Sequence, residues 1–167
     1  MPKIIENLKS ELMAEAKRQI NERGYKRTTI RSVADGCGIA IGTVYNYFQS
    51  KGMLIASFIL EDWLLCIREI SLKDKSDTYS YLLFIHTTLK GFEKKYTCLF
   101  NDSDAKASFG ASVGDKHILL RSQLSELILP VAKDDFTADF VAEAMLSWSM
   151  TDVDFDELYK IIEKIIK

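Results

Sequence analysis

Apolar residues recur at three- and four-residue spacing along most of this chain, which is the period of an α-helix with one buried face. Ile4, Ile5, Leu8, Leu12, Ala16 and Ile20 form one such stripe, and Arg23 followed by Gly24 closes it, predicting a helix over residues 3–23. Thr28 or Thr29 then caps a short helix from Ile30, whose apolar face is Ile30, Val33 and Ala34 and which Gly36 and Gly38 end. A second short helix starts at Ala40 or Ile41 and runs to about Tyr47. Ser50 caps a long helix from Lys51 to about Leu72, with Leu54, Ile55, Phe58, Ile59 and Leu65 among its apolar positions. Thr78 to about Lys95 is helical after a polar connection. Residues 100–116 are polar, small and glycine-containing, and predict a loop with a helical turn. His117–Pro130, Asp134–Ser149 and Phe155–Lys167 complete the pattern, the last with Leu158, Ile161, Ile162, Ile165 and Ile166 on one side. The prediction is an all-α chain of about eight or nine helices, with no repeat and no stretch of about 20 apolar residues that would span a membrane.

Composition agrees with a folded helical protein: 47% of residues are hydrophobic, 28% are charged, and only two are proline. The net charge of −2 speaks against a nucleic-acid partner until it is divided along the chain. Residues 1–52 carry +4 and the remainder carries −6, which places a basic surface in the N-terminal part. Cys37, Cys66 and Cys98 are odd in number and widely spaced, which fits neither a disulfide framework nor a zinc site. They read as buried, reduced thiols of a cytoplasmic protein without a signal peptide or cofactor.

The N-terminal pattern of a longer helix, a short helix, a glycine turn and a second short helix is that of a helix-turn-helix unit. Gly38 sits where the tight turn needs a positive φ. Ala40, Gly42 and Thr43 are small enough to let the second short helix approach bases and phosphates, while Ile39 and Val44 point inward. Tyr45, Asn46 and Tyr47 supply hydroxyl and amide groups for phosphate oxygens or base edges, and Lys51 supplies a cation at the next helix N-terminus. Phe48 reads as core.

The run Gly24-Tyr25, Thr28-Thr29-Ile30-Arg31-Ser32-Val33-Ala34 and Gly38-Ile39-Ala40-Ile41-Gly42-Thr43-Val44-Tyr45-Asn46-Tyr47-Phe48-Gln49-Ser50-Lys51 strongly resembles the TetR/AcrR family of transcriptional regulators. The resemblance covers about 50 residues and implies a three-helix DNA-binding domain over 1–50 and a helical ligand-binding and dimerisation domain over 51–167. It implies a homodimeric, ligand-responsive repressor of a palindromic double-stranded DNA operator, with an unknown small-molecule effector. Carried over by position, Thr29, Gly42, Thr43, Tyr45, Tyr47 and Lys51 would contact the DNA, and Thr28, Arg31, Ala40, Ile41 and Asn46 complete the expected DNA-facing set. The chain departs from the family at Ala40 and Ile41, where serine and a polar or basic residue are frequent, and two polar contacts go with them. A helical protein–protein interaction module that keeps only the helix-turn-helix core is the alternative.

Beyond residue 51 the pattern is less specific. Phe58, Trp63, Cys66, Tyr81, Phe84 and Met145, with His86, Phe92, Phe109 and Trp148, either line a ligand cavity or form an ordinary bundle core. Val141, Met145, Trp148, Leu158, Ile162 and Ile165 are assigned to a four-helix dimer interface, against burial within one chain. Gly36 to Gly42 misses the dinucleotide-binding spacing and follows no strand. Asp152, Asp154, Asp156 and Glu163 mimic a calcium loop, but Glu157 stands where that loop needs glycine, and an Asp154–Glu157 capping box explains the acids more simply. His86 and His117 have no partner at metal or triad spacing, so no enzyme is predicted.

Overall fold

A computed structural model of the chain describes residues 7–110 and 113–166. Nine α-helices and a short 3₁₀ turn are found among them, with no strand: α1 (Leu8–Arg27), α2 (Ile30–Gly36), α3 (Ile41–Tyr45), α4 (Lys51–Ser71), α5 (Thr78–Phe100), α6 (Ser103–Gly110), α7 (Val113–Ile128), the 3₁₀ turn Leu129–Val131, α8 (Asp135–Trp148) and α9 (Phe155–Ile166). The expected Ile4 and Ile5 of the first stripe and Phe109 of the aromatic group fall outside what is described of backbone or side chain. None of the described helices is long and apolar enough to cross a membrane.

Two of the predicted caps, at the starts of α2 and α4, are present. Thr29, not Thr28, caps α2: its side chain accepts from the Ser32 N–H at 3.0 Å, and the Ser32 hydroxyl accepts from the Thr29 N–H at 2.9 Å. Ser50 accepts from the Met53 N–H at the start of α4, and Asp134 accepts from the Thr137 N–H at 2.7 Å at the start of α8. Gly24 leaves the helical region (φ 82°, ψ 170°), so the regular part of α1 ends there, and one further turn carries the chain to Arg27.

The loop expected over residues 100–116 is corrected to α6 and the start of α7. Asp102 supplies the reason: its carboxylate accepts from the N–H groups of Asp104 and Ala105, both at 2.9 Å, so a residue read as loop polarity is a helix cap. The small residues that suggested a turn serve close packing instead. Ala105 is fully buried, and a Cβ on Gly52 would lie 2.7 Å from the Ser108 carbonyl oxygen, so α4 and α6 meet here only because residue 52 is glycine.

The described residues divide into two compact units. One comprises those of Met1–Asp62 with Thr97–Ala111; the other comprises those of Trp63–Tyr96 with Ser112–Lys167. In the first, α1 packs on α2 and α6, and α2 on α3. Its buried residues include Leu12, Ala16 and Ile20 of α1, Val33 and Ala34 of α2, Val44 of α3 and the following Phe48. In the second, α8 packs on α7 and α9 around a core that includes Trp63, Tyr81, Ile85, Leu124, Val141, Met145, Phe155 and Ile162. Leu65, expected on the apolar face of α4, is instead half exposed.

Candidate nucleic-acid interface

The turn between α2 and α3 is built by backbone bonds. The Cys37 N–H donates to the Val33 carbonyl at 3.0 Å, and the Ile39 N–H returns to the Ala34 carbonyl at 3.0 Å. Gly38 between them has φ 67°, the left-handed conformation that the sequence assigns it. Ala40 caps α3 in extended backbone without a side-chain bond, and the Thr43 N–H donates to its carbonyl at 2.9 Å.

Only five residues long, α3 is held from one side by Val44, which is fully buried, with Phe48 buried just beyond it. The opposite side turns Ala40, Ile41, Gly42, Tyr45 and Asn46 to solvent, Tyr45 being 51% exposed; Thr43 is half-buried at the edge. Nothing lies within 4 Å of where a Cβ on Gly42 would be. No neighbour among the described residues therefore demands glycine here, and its effect is to leave bare backbone on an exposed helix face. Thr29 and Arg31 are exposed at the start of α2.

Three predicted contacts are placed differently. Thr28 is 1% exposed and its hydroxyl donates to the Gly24 carbonyl at 3.0 Å, closing the end of α1, so it is withdrawn from the outward-facing set. Tyr47 is half-buried and its hydroxyl is shut away from solvent with no hydrogen-bond partner among the described residues, instead of reaching outward. Lys51 is half-buried: its ammonium donates to the Tyr25 carbonyl and lies 3.4 Å from the centroid of the Tyr25 ring. Burial holds its pKa below the ordinary lysine value, against the opposing pull of Asp102 and Asp104. A phosphate can claim this ammonium only by drawing it off Tyr25.

The positive excess of the N-terminal part is partly spent inside the same unit. Lys17 pairs with Asp62 at 2.6 Å, Arg18 bonds Glu15 and Glu22 at 2.6 Å each, and Lys26 pairs with Asp104 at 3.2 Å. The Arg18 guanidinium, ahead of Gln19, holds the Glu15 carboxyl below its usual pKa. Arg27 donates its Nε to the Arg23 carbonyl, and Arg31 has no ion pair among the described residues. One buried polar residue of this unit was not singled out by the sequence. Gln19 of α1 is 3% exposed and is bonded to Ser32 in the first turn of α2. Its position on the apolar stripe next to Ile20 was the only available signal.

Several of the expected ligand-pocket residues are part of the core of the second unit. Trp63, Tyr81 and Met145 are packed into the core with Phe84 against it. The Trp63 indole donates to Gln123 at 2.8 Å, and Tyr81 donates to the Leu127 carbonyl at 2.7 Å, with burial pushing its phenol up to about 12. Phe58 is buried in the other unit, and Cys66 is half-buried. A cleft in the second unit is lined by other residues: Lys90, Glu93, Lys94 and the segment Ser149–Asp152. The thiols also differ from expectation, since Cys98 is exposed and Cys37 half-buried, with burial, then Glu15 and Glu11, raising the Cys37 pKa.

The predicted dimer face is corrected as well. Val141, Met145, Leu158 and Ile162 are buried within the chain, and Ile165 is partly buried against the same core. Of that set Trp148 alone is well exposed, and it lies on a different stripe of α8 with Phe136, 80% exposed, and Phe140, 51% exposed; Ile161 of α9 is 60% exposed. A helix apolar all round has two faces to bury, and the helical period alone does not say which one its own chain covers.

Comparison with known proteins falls on the same N-terminal residues. Residues 12–58 match the sequence profile of bacterial regulatory proteins of the tetR family. Over 62 residues the chain is 36% identical to the HTH-type transcriptional repressor KstR2 of Mycobacterium tuberculosis. That alignment takes in 36% of this chain and spans about a third of the relative's length, 31%. Among solved structures, a transcriptional regulator from Rhodococcus sp. Rha1 superposes with a TM-score of 0.60 at 16% identity, covering 94% of this chain and 90% of that one. The regulator FadR from Bacillus subtilis, in complex with stearoyl-CoA, gives 0.52 at 19% identity, covering 95% and 97%. At these identities the structures speak to the fold: the all-helical arrangement is shared along nearly the whole chain.

Proposed function

We propose that the chain, whose residues 12–58 match the tetR family of bacterial regulatory proteins, is a ligand-responsive repressor that binds a palindromic DNA operator as a homodimer. The observation that carries this reading is the outward face of α3, where side-chain-free Gly42 stands between exposed Ile41 and Tyr45 on a helix anchored from behind by Val44. A helix so held enters a major groove with its backbone close to the bases. Tyr45 and Asn46 reach base edges or phosphate oxygens, Ile41 meets an apolar edge such as a thymine methyl, and Thr29 and Arg31 grip the flanking backbone. Residues 1–50 act as the DNA-binding domain and 51–167 as the effector-binding and dimerisation domain. The second copy covers the Phe136, Phe140 and Trp148 stripe with Ile161, an apolar surface that a lone chain leaves in water. Two-fold symmetry then sets two recognition helices about 34–36 Å apart, or a multiple of it. An effector that favours another separation weakens binding by shifting populations, without touching DNA.

The test is selection of duplexes from a random pool by the purified protein. Enrichment of an inverted repeat is the expected result, with affinity falling linearly in log salt. Arg31→Ala should reduce that slope by about one, and Tyr45→Ala should cost about 1–3 kcal/mol with relaxed choice at one position of the half-site. A pool that yields no enriched duplex overturns the reading in favour of a protein-binding module. Small molecules, stearoyl-CoA among them, are then screened for release of the selected duplex.

A further inference from the structure

Gln19 occupies a buried position on α1, and all four hydrogen-bonding positions of its amide are used. The Nε2 group donates to Glu15 Oε1 at 2.6 Å and to the Ser32 carbonyl at 2.8 Å. The Oε1 atom accepts from the Ser32 hydroxyl at 2.7 Å and from Arg23. These partners leave the amide one orientation. A carboxylate and a carbonyl only accept, so they must face the NH₂; a guanidinium only donates, so it must face the oxygen. The Ser32 hydroxyl, facing that oxygen, must therefore give it its proton.

Ser32 is the other half of the α2 cap. Its hydroxyl oxygen accepts from the Thr29 N–H, its own N–H donates to Thr29 Oγ1, and its hydroxyl also lies 2.9 Å from the Thr29 carbonyl. Gln19 thus holds the first turn of α2 by both a backbone and a side-chain group of one residue, and that residue holds Thr29. Thr29 Oγ1, occupied as an acceptor, keeps its proton for an outside acceptor, and the side chain is exposed.

We propose that Gln19 is a positioning residue for DNA: through Ser32 it fixes the Thr29 hydroxyl where it can donate to a phosphate oxygen of the operator. This rests on the DNA-binding reading above. Gln19 itself touches no DNA, being buried.

The experiment is a double-mutant cycle on the intact protein, using the duplex that the wild type selects. Gln19→Met keeps the side-chain length and removes all four bonds. Gln19→Met and Thr29→Ala are each expected to weaken binding about fivefold. The double variant should bind no more weakly than Gln19→Met alone, because the hydroxyl is then no longer held in place. Effects that multiply, or wild-type affinity in Gln19→Met, overturn the proposal while leaving the DNA-binding reading intact. Should Gln19→Met fail to show helical circular dichroism, Ser32→Ala replaces it in the same cycle under the same criterion. Failure of the wild type to select any duplex removes both readings, a result distinct from multiplicative effects.

Discussion

At the scale of single residues, the head of this molecule shows polar groups divided between holding the fold and facing outward. Lys51 is placed on the ring and carbonyl of Tyr25, joining the start of α4 to the end of α1. Losing a partly desolvated cation–π contact and a charged hydrogen bond costs about 1–2 kcal/mol. Lys51→Ala is accordingly expected to lower stability by that amount in denaturant unfolding followed by circular dichroism, with no DNA present. Gly38 was legible beforehand, because a tight turn between two short helices needs a left-handed residue and the sequence offers glycine there. Thr28 and Thr29 were not separable, since adjacent threonines share one propensity; which hydroxyl turns inward depends on the Gly24 carbonyl, which belongs to the previous helix. Gln19 was hidden for the same reason, its partners Ser32 and Glu15 lying on two different helices.

At the scale of elements, α5 and the start of α9 meet at a buried histidine. His86 is 4% exposed, lies 5.3 Å from the Phe155 ring centroid, and has its Nε2 buried without a partner among the described residues. Burial first, then Lys90, pushes its pKa below 6.5, while Asp154 acts in the opposite sense. The unfolded chain then binds the proton more readily than the folded one. Stability therefore rises with pH between the folded value and 6.5, and is lost on acidification through that window. The thermal midpoint of the wild type is expected to fall between about pH 7 and pH 5, and His86→Leu should show a smaller fall. An equal fall in both proteins would assign the acid sensitivity elsewhere. The same scale explains α6, which the sequence disguised: Ala105 and Ser108 look like turn residues until Asp102 caps them and Gly52 admits their backbone.

At the scale of the whole molecule, the proposed assembly rests on the exposed apolar stripe of α8. Phe140→Glu places a charge in the face proposed for the second copy while leaving the chain's own core untouched, since Phe140 is half exposed. It is expected to convert a dimer to a folded monomer in sedimentation, weakening association at least about a hundredfold, as loss of an interface anchor of roughly 3 kcal/mol would. Met145→Glu, on the buried side of the same helix, should unfold the protein instead, because Met145 is wholly enclosed. A wild type that sediments as a monomer at micromolar concentration would overturn the assignment of this face. The charge division along the chain pointed to the N-terminal part, where the family match also falls, but part of its positive excess is neutralised by pairs such as Lys17–Asp62 and Lys26–Asp104. Arg31 matters more to the proposed DNA contact than the total does.

The amino-acid sequence alone determined the all-helical class, the helix limits within a few residues outside 100–116, the cap Ser50, the Gly38 turn and the family resemblance of the N-terminal fifty residues. Each depends on neighbours within a turn or two of chain, where period, capping and backbone freedom act directly. Only the tertiary structure decided which face of α8 is covered by its own chain, that Trp63 and Tyr81 are core, and that Thr28, Lys51 and Gln19 spend their polar groups inside the protein. A side chain's partners across helices are set by packing between distant segments, and an amphipathic pattern records only that a face must be buried, not what buries it.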